Sequence, residues 1–172
     1  MAKKAETRAA ILSDTEIRSK FRRMAYEIFE SNYAFKKITI VGLGAQGEFI
    51  GKSLTSLLEE ISPIKVDFVR AEKDIALSKI TIDSKASAKL FKDRNVVIVD
   101  DVLYSGKTMF NAAAAVLEHF PIRVQTAVLI DRGHRLLPIS PNYTGLDLAT
   151  TLREHVSVEF NLKTGSAAAF LD

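Results

Sequence analysis

Residues Val96–Thr108 read VVIVDDVLYSGKT, and this stretch decides the fold. Asn95–Asp100 is a continuous apolar, β-branched run, which is typical of a strand buried on both faces of a sheet. Thr108–Phe120 follows with an alanine-rich interior that predicts a helix. A buried strand that passes into a helix indicates an α/β fold, with a mostly parallel central sheet flanked by helices.

Strands and helices alternate on both sides of this stretch. Arg70–Lys92 is interpreted as a hairpin or mobile loop, and Arg132–Glu154 as a loop rich in glycine and proline. Residues 1–172 are expected to form a single domain, since no linker or repeat interrupts them. The other predicted helices and strands are Ser13–Ser31 and Glu48–Glu60, and Lys37–Gly42, Ile64–Val69, Arg123–Asp131, His155–Asn161 and Ala167–Leu171.

The composition limits the function classes. The chain has 172 residues, of which 47% are hydrophobic and 26% charged, as in a globular protein with a sizeable core. It has no cysteine, which excludes thiol nucleophiles and cysteine zinc sites. Without an apolar run of about 20 residues or a signal-peptide core, we expect a cytoplasmic protein with no membrane partner. The net charge of +3 suits phosphorylated ligands as well as RNA.

The central stretch combines two acids with a phosphate-binding turn. Asp100 and Asp101 end the strand, and Ser105-Gly106-Lys107-Thr108 leads into the helix. A glycine lets the backbone approach a ligand closely, and the amino end of a helix binds anions. The acids repel a phosphate, but they can accept hydrogen bonds from vicinal hydroxyls or hold Mg²⁺. A ribose 5′-phosphate would satisfy both halves of the motif.

Three other interpretations of these glycine-rich segments were weighed. A P-loop would need glycine where this chain has Asp101. A solvated acidic turn before a capped helix would explain the acids, but not the whole string. Gly42–Gly47, GLGAQG, matches a dinucleotide-binding fingerprint, with the acid Asp67 20 residues beyond its last glycine. Against that remote alternative, a whole helix precedes the strand, Asp67 lies inside a predicted strand, and the chain is too short for a separate substrate domain.

Val96–Thr108 resembles the 5-phosphoribosyl-1-pyrophosphate (PRPP) signature of type I phosphoribosyltransferases. The resemblance implies that fold, with a small hood formed by parts of 131–172 and a mobile loop at about 70–92. Asp100 and Asp101 would contact the ribose hydroxyls, and Mg²⁺ would enter with PRPP. The residues implied in nucleotide binding are Val102, Leu103, Tyr104, Ser105, Gly106, Lys107 and Thr108.

A second resemblance narrows the family. Leu129–Ile139, LIDRGHRLLPI, and Asn142–Gly145, NYTG, are similar to the hood of PyrR, the bifunctional pyrimidine operon regulator/uracil phosphoribosyltransferase family. This similarity implies transfer from PRPP to uracil, giving UMP and pyrophosphate, in at least a homodimer. A solvated basic loop is the alternative for the hood. The residues implied near the base are Arg132, His134, Arg135 and Val156.

The chain departs from the family at the pyrophosphate loop. The family has a Lys-Thr-Arg-Gly-like run there, whereas this chain has Gly44, Ala45, Gln46 and Gly47. Backbone amides can still bind pyrophosphate, but the loss of a preorganised cation affects catalysis more than binding. Arg70, in Val-Arg-Ala-Glu, is a candidate catalytic contact with PRPP or else an ordinary surface arginine.

RNA binding is the second activity that the resemblance implies. Arg22 and Arg23 keep positive charge on the first helix. The family's other basic positions are occupied here by Tyr26, Ser31, Ser140 and Leu146. Because each lost phosphate contact weakens nucleic-acid binding, these departures disfavour RNA as a partner. The alternative to the enzyme is a catalytically weak nucleotide-binding regulator of the RNA-binding attenuator type.

Overall fold

The fold is described by a computed structural model for residues 8–74, 79–82, 88–149, 151, 154–161 and 163–171. Nine strands and three α-helices lie within these residues, together with a short 3₁₀ helix at Ala88–Leu90. The helices are α1 (Asp14–Asn32), α2 (Gly44–Ile61) and α3 (Lys107–Leu117). The strands are β1 (Ala9–Leu12), β2 (Lys37–Leu43), β3 (Lys65–Asp74), β4 (Lys79–Ile82), β5 (Asn95–Leu103), β6 (Arg123–Asp131), β7 (Tyr143–Asp147), β8 (Val156–Asn161) and β9 (Ser166–Leu171).

The main sheet has six strands in the order β4-β3-β2-β5-β6-β7. All its neighbouring pairs are parallel except β3 with β4, which form an antiparallel hairpin at one edge. From β2 the sheet grows in one direction through β3 and β4, and in the other direction through β5, β6 and β7. The direction in which strands are added therefore reverses between β2 and β5. Ligands of open α/β sheets bind at such a switch point, beyond the carboxyl ends of the strands.

Both faces of the main sheet are covered by helices. Val97 and Val99 of β5 belong to the apolar cluster under α1 and α2, whereas Val96 and Ile98 belong to the cluster under α3. All four side chains are fully buried, which explains why β5 is apolar at every position rather than at alternate ones. This double burial fixes the carboxyl end of β5, where the two acids lie.

A small antiparallel sheet, the hood sheet, has the order β1-β9-β8. Ala9 pairs with Leu171, so the first and last strands of the described chain lie side by side. Val156 and Val158 of β8 are buried in the cluster under α1 and α2, and β8 also contacts β5. The hood sheet therefore stands beside the carboxyl end of β5, over the switch point.

The strand predicted at Arg123–Asp131 has the observed bounds, and the capping box of Ser13 and Glu16 is formed. Other elements differ from the prediction. The second helix begins at Gly44 rather than Glu48, because the glycine-rich loop forms its first turn. The predicted loop 132–154 contains β7, which joins the main sheet and not the hood, and β1 was not predicted.

The segment interpreted as a hairpin or mobile loop is a hairpin where the structure describes it. β3 continues to Asp74, and Lys73 pairs with Ile80 of β4. The second strand of this hairpin is β4, Lys79–Ile82. Residues 75–78 and 83–87 of this segment lie outside the described residues. No helix in the described part of the chain is long and apolar enough to cross a membrane.

Candidate functional site

The acid pair, Asp100 and Asp101, lies at the carboxyl end of β5. Asp100 is 5% exposed, and its Oδ1 accepts a hydrogen bond of 3.0 Å from the backbone N–H of Asp101. The same oxygen lies 2.7 Å from Nζ of Lys73. Burial raises the pKa of Asp100 to about 7; the charge of Asp101 adds to this effect, and Lys73 opposes it. Asp101 is more exposed and faces a cavity.

The phosphate turn, Tyr104–Thr108, follows β5 and begins α3. Gly106 is the N-cap of α3 with φ of 82°, a left-handed conformation that a side chain disfavours. A Cβ there would also lie 2.6 Å from Cγ2 of Ile139. Gly106 has no side chain to cap the helix, and the amino end of α3 lines the cavity with Gly106 and Thr108, where an anion could accept from its N–H groups.

The hood segment, residues 132–141, is tied to the phosphate turn by backbone hydrogen bonds. The N–H of Arg132 donates to the carbonyl of Leu103, and the N–H of Leu136 donates to that of Ser105, both at 3.0 Å. This segment and the phosphate turn therefore form one connected structure. The position of the segment follows from the parallel pairing of β5 with β6, since both strands end at the same edge.

Arg132 is the buried centre of this structure, with 5% exposure. Its guanidinium carbon lies 4.4 Å from the centroid of the Tyr104 ring. It also donates to the carbonyls of Glu154 at 2.6 Å and Thr151 at 3.3 Å, just before β8. These contacts link β6, the phosphate turn and the approach to the hood sheet, so Arg132 shapes one wall of the site.

These elements enclose a cavity of about 740 Å³, which is a usual size for a small-molecule site. One wall is the acid pair and the phosphate turn, and the other is the beginning of β8. The described residues that line the cavity are Gln46, Lys73, Asp100, Asp101, Val102, Leu103, Tyr104, Ser105, Gly106, Thr108, Met109, Arg132, Glu154, His155, Val156, Ser157 and Val158.

Most of the predicted site residues meet at this cavity, but several lie elsewhere. Arg70 forms ion pairs with Glu48 and Glu72, and together with Ala45 it lines a separate depression. Arg135 pairs with Asp131 at the base of the hood segment. The ring of His134 contacts the edge of Tyr104, with centroids 5.9 Å apart. Neither His134 nor Arg135 lines the cavity, and nor does the exposed Lys107.

Lys73 is the main cavity residue that the sequence analysis missed. The predicted strand ended at Val69, whereas β3 continues to Asp74. Val69 and Ala71 are buried against the α3 side, and Lys73 follows them with the same spacing of two. Extending the strand by this alternation would have placed Lys73 on an inward face, at the carboxyl edge of the sheet.

The glycines of GLGAQG serve helix packing. A Cβ on Gly47 would lie 2.5 Å from the carbonyl oxygen of Val99, and one on Gly42 would lie 2.5 Å from that of Gly47. Asp67, the acid of the supposed fingerprint, pairs with Arg94 at 2.8 Å. It lies near the beginning of β3, at the opposite end from the cavity. The geometry thus removes both supports of the dinucleotide-binding alternative.

An open α/β sheet with paired acids and a helix amino end at its switch point is the arrangement expected of proteins that bind phosphorylated sugars or nucleotides. Comparison with known proteins agrees with this class. The family model described as "Phosphoribosyl transferase domain" matches residues 8–162. The chain is 36% identical to the bifunctional protein PyrR of Deinococcus radiodurans, over 92% of this chain and 91% of that protein. It is 33% identical to PyrR of Clostridium novyi, over 89% and 90%.

The chain therefore belongs to the phosphoribosyltransferase family, in which its similarity is to the PyrR proteins. Solved structures support the fold independently. The hypoxanthine phosphoribosyltransferase of Trypanosoma cruzi superposes with a TM-score of 0.72 at 16% identity, covering 81% of each chain. One from Staphylococcus aureus gives a TM-score of 0.71 at 15% identity, covering 86% of this chain and 80% of that chain. At such identities the likeness shows the fold and not the base.

Proposed function

We propose that this protein transfers the phosphoribosyl group of PRPP to uracil, giving UMP and pyrophosphate. The observation that carries the proposal is one cavity lined by both the acid pair and the amino end of α3. The phosphate turn would bind the 5′-phosphate, and Asp100 and Asp101 would accept hydrogen bonds from the ribose hydroxyls. Uracil is proposed because the hood segment resembles that of the PyrR family, to which the curated relatives belong.

The reaction breaks the bond between ribose C1 and a pyrophosphate oxygen, which keeps the electron pair. A ring nitrogen of uracil forms the new bond to C1 and loses its proton. The chain's contribution is to orient the reactants and to stabilise the charges that develop. Asp101 would hold the ribose so that C1 faces the base. Arg132 and the backbone of β8 at Val156 would enclose the base and exclude water.

Mg²⁺ fits this site as a companion of PRPP. Among the described residues, no group of three or more histidine, cysteine or acidic side chains is arranged to hold a metal by itself. Asp100 and Asp101 supply two carboxylates, so the ion would share them with oxygens of the substrate. When bound, Mg²⁺ would offset the negative charge of pyrophosphate.

A nucleotide-responsive regulator is the second candidate, because the curated relatives are named bifunctional. RNA as its target has less support in the structure. Arg23 pairs with Glu27 at 2.5 Å and donates to the carbonyls of Thr144 and Gly145. Arg22 lies 3.4 Å from Glu60. RNA affinity measured against salt concentration separates the candidates, since phosphate contacts give a steep slope.

Turnover of PRPP with each nucleobase in turn tests the proposal. Uracil should be consumed, and Asp101→Asn should lower kcat/KM by on the order of 10²-fold, because a carboxylate that orients the ribose is lost. Far-UV circular dichroism of the variant should match that of the wild type, as Asp101 lies outside the apolar core. Unchanged turnover in Asp101→Asn would refute its role. If no base is consumed while UMP still binds, the regulator is the correct function.

A further inference from the structure

The pyrophosphate half of the proposed site lacks a cation of its own. Gly44–Gly47 carries no basic side chain, although the pyrophosphate leaving group is the most negative part of PRPP. Among the described residues that line the cavity, the lysine and arginine side chains are Lys73 and Arg132. Arg132 is held by two backbone carbonyls and by the ring of Tyr104. The available cation in this part of the chain is therefore Lys73.

Lys73 reaches the loop from the neighbouring strand. Its backbone is fixed in the β3–β4 hairpin, where it pairs with Ile80. Its side chain then crosses the pyrophosphate loop, since a Cβ on Gly44 would lie 2.8 Å from Cε of Lys73. The ammonium ends 2.7 Å from Oδ1 of Asp100. Lys73 thus lies at the junction of the pyrophosphate loop and the acid pair.

We propose that Lys73 supplies the positive charge that binds pyrophosphate, and that its ammonium exchanges Asp100 for this ligand when PRPP binds. This inference rests on the proposed function. The side chain of Asp100 is 7% exposed on a rigid strand, whereas that of Lys73 is 21% exposed on four flexible methylenes. When the ribose hydroxyls engage Asp100, the ammonium turns toward the pyrophosphate.

The other charged groups near Lys73 do not fill this role. Arg70 and Glu72, on the same strand, pair with each other at 2.7 Å, and Arg70 also pairs with Glu48. Arg70 and Glu48 lie by the separate depression that Ala45 lines. Asp101 faces the cavity as a second acid and therefore attracts Lys73 rather than replacing it.

The chemical effect of Lys73 grows as the bond to pyrophosphate breaks. The bridging oxygen takes the electron pair, and the ammonium donates a hydrogen bond to the oxygens that gain charge. Lys73 stays protonated, and the proton released by the base goes to pyrophosphate or water. Because the interaction is stronger in the transition state than with intact PRPP, it affects turnover more than substrate binding.

The test compares Lys73→Met with Lys73→Arg and Lys65→Met, a matched change at the opposite, exposed end of β3. Lys73→Met should lower kcat/KM for PRPP by on the order of 10²-fold and raise the KM for pyrophosphate in the reverse reaction. Its Kd for UMP, which contains no pyrophosphate, should stay within about threefold of the wild type, by the same reasoning. Lys73→Arg should recover part of the loss, and Lys65→Met should match the wild type.

Two outcomes would overturn the inference while the proposed function stands. In one, the wild type uses PRPP and Lys73→Met performs equally well. In the other, Lys73→Met weakens the binding of UMP and of pyrophosphate to the same extent, which would make Lys73 a structural support of Asp100. A wild-type protein that neither binds nor converts PRPP would refute the proposed function itself. If PRPP binds but is not converted, the same variants can be compared by calorimetry. Lys73→Met should then weaken the binding of PRPP more than the binding of UMP.

Discussion

Asp100, which lies at the proposed ribose site, destabilises the folded protein in its charged form. The pKa of this carboxyl is raised to about 7 by burial and by Asp101, against the attraction of Lys73. An acid whose pKa rises on folding binds more protons in the folded protein than in the unfolded chain, so stability falls as the pH rises from about 4 to about 7. The charged carboxylate of Asp100 therefore destabilises the folded protein, which a purely structural role would not explain.

Asp100→Asn should make the protein more stable above pH 7, by up to about 4 kcal/mol, since the raised pKa of Asp100 is already the net effect of burial, Asp101 and Lys73. The advantage should shrink as the pH falls below 7 and disappear near pH 4, where both states of the wild type are protonated. Urea denaturation across this range measures it. Asp93→Asn is the matched control, because Asp93 is exposed, and it should show little dependence on pH. An Asp100→Asn variant that is less stable at pH 8 than at pH 5, relative to the wild type, would contradict the burial argument.

A second prediction for a single residue concerns Gly106. Gly106→Ala strains a left-handed residue, at about 1–2 kcal/mol, and forces a Cβ against Ile139 of the hood segment. Gly133 also has a positive φ, of 73°, but no atom lies within 4 Å of the position of an added Cβ. Gly133→Ala should therefore cost only the backbone strain. In urea denaturation, Gly106→Ala should lower the free energy of unfolding more than Gly133→Ala does. The Gly106→Ala variant should also bind UMP more weakly than the wild type. Equal losses in the two variants would show that the contact with the hood segment does not matter.

At the scale of the elements, α2 is held close to the sheet by its first turn. Gly47→Ala would place a methyl group 2.5 Å from the carbonyl oxygen of Val99, which is backbone of the central strand and cannot turn aside. We expect a loss of about 1–3 kcal/mol. Gly51→Ala, in the same helix, meets the ring of Phe68 at 2.6 Å, and this half-buried side chain can move.

Alanine favours the helix by about 1 kcal/mol at both positions, so the difference comes from the contacts, and Gly51→Ala should cost clearly less than Gly47→Ala. Thermal unfolding of both variants measures the difference. If Gly51→Ala proved the more damaging change, the close approach of α2 to β5 would not be what the glycines of GLGAQG provide.

The elements that the sequence predicted well carry their information locally. Arg123–Asp131 is buried along almost its whole length, so its composition alone marks it as a strand. β1 and β7 were missed because both are short and depend on pairing with distant strands, β9 and β6. The acid pair and the phosphate turn were predictable because they are contiguous. Lys73 was not, since its position depends on where β3 ends and on which strand lies beside it.

In the whole molecule, five separate stretches of the described chain line the cavity. The switch point brings the end of β2 beside the end of β5, and the hood segment is hydrogen-bonded over the phosphate turn. The hood sheet, whose strands come from both ends of the described chain, supplies the opposite wall. A ligand that spans these parts should stabilise the entire fold by linkage, by about 2.7 kcal/mol at a hundredfold excess over Kd.

The central claim is that one cavity binds a ribose 5′-phosphate through two separate subsites. Calorimetric titration of the wild-type protein with UMP, dUMP and uridine tests it most directly. UMP should bind; dUMP, which lacks one ribose hydroxyl, should bind about 10-fold more weakly, and uridine, which lacks the phosphate, at least about 100-fold more weakly. Equal affinity for UMP and uridine, or no binding of UMP at all, would contradict the account.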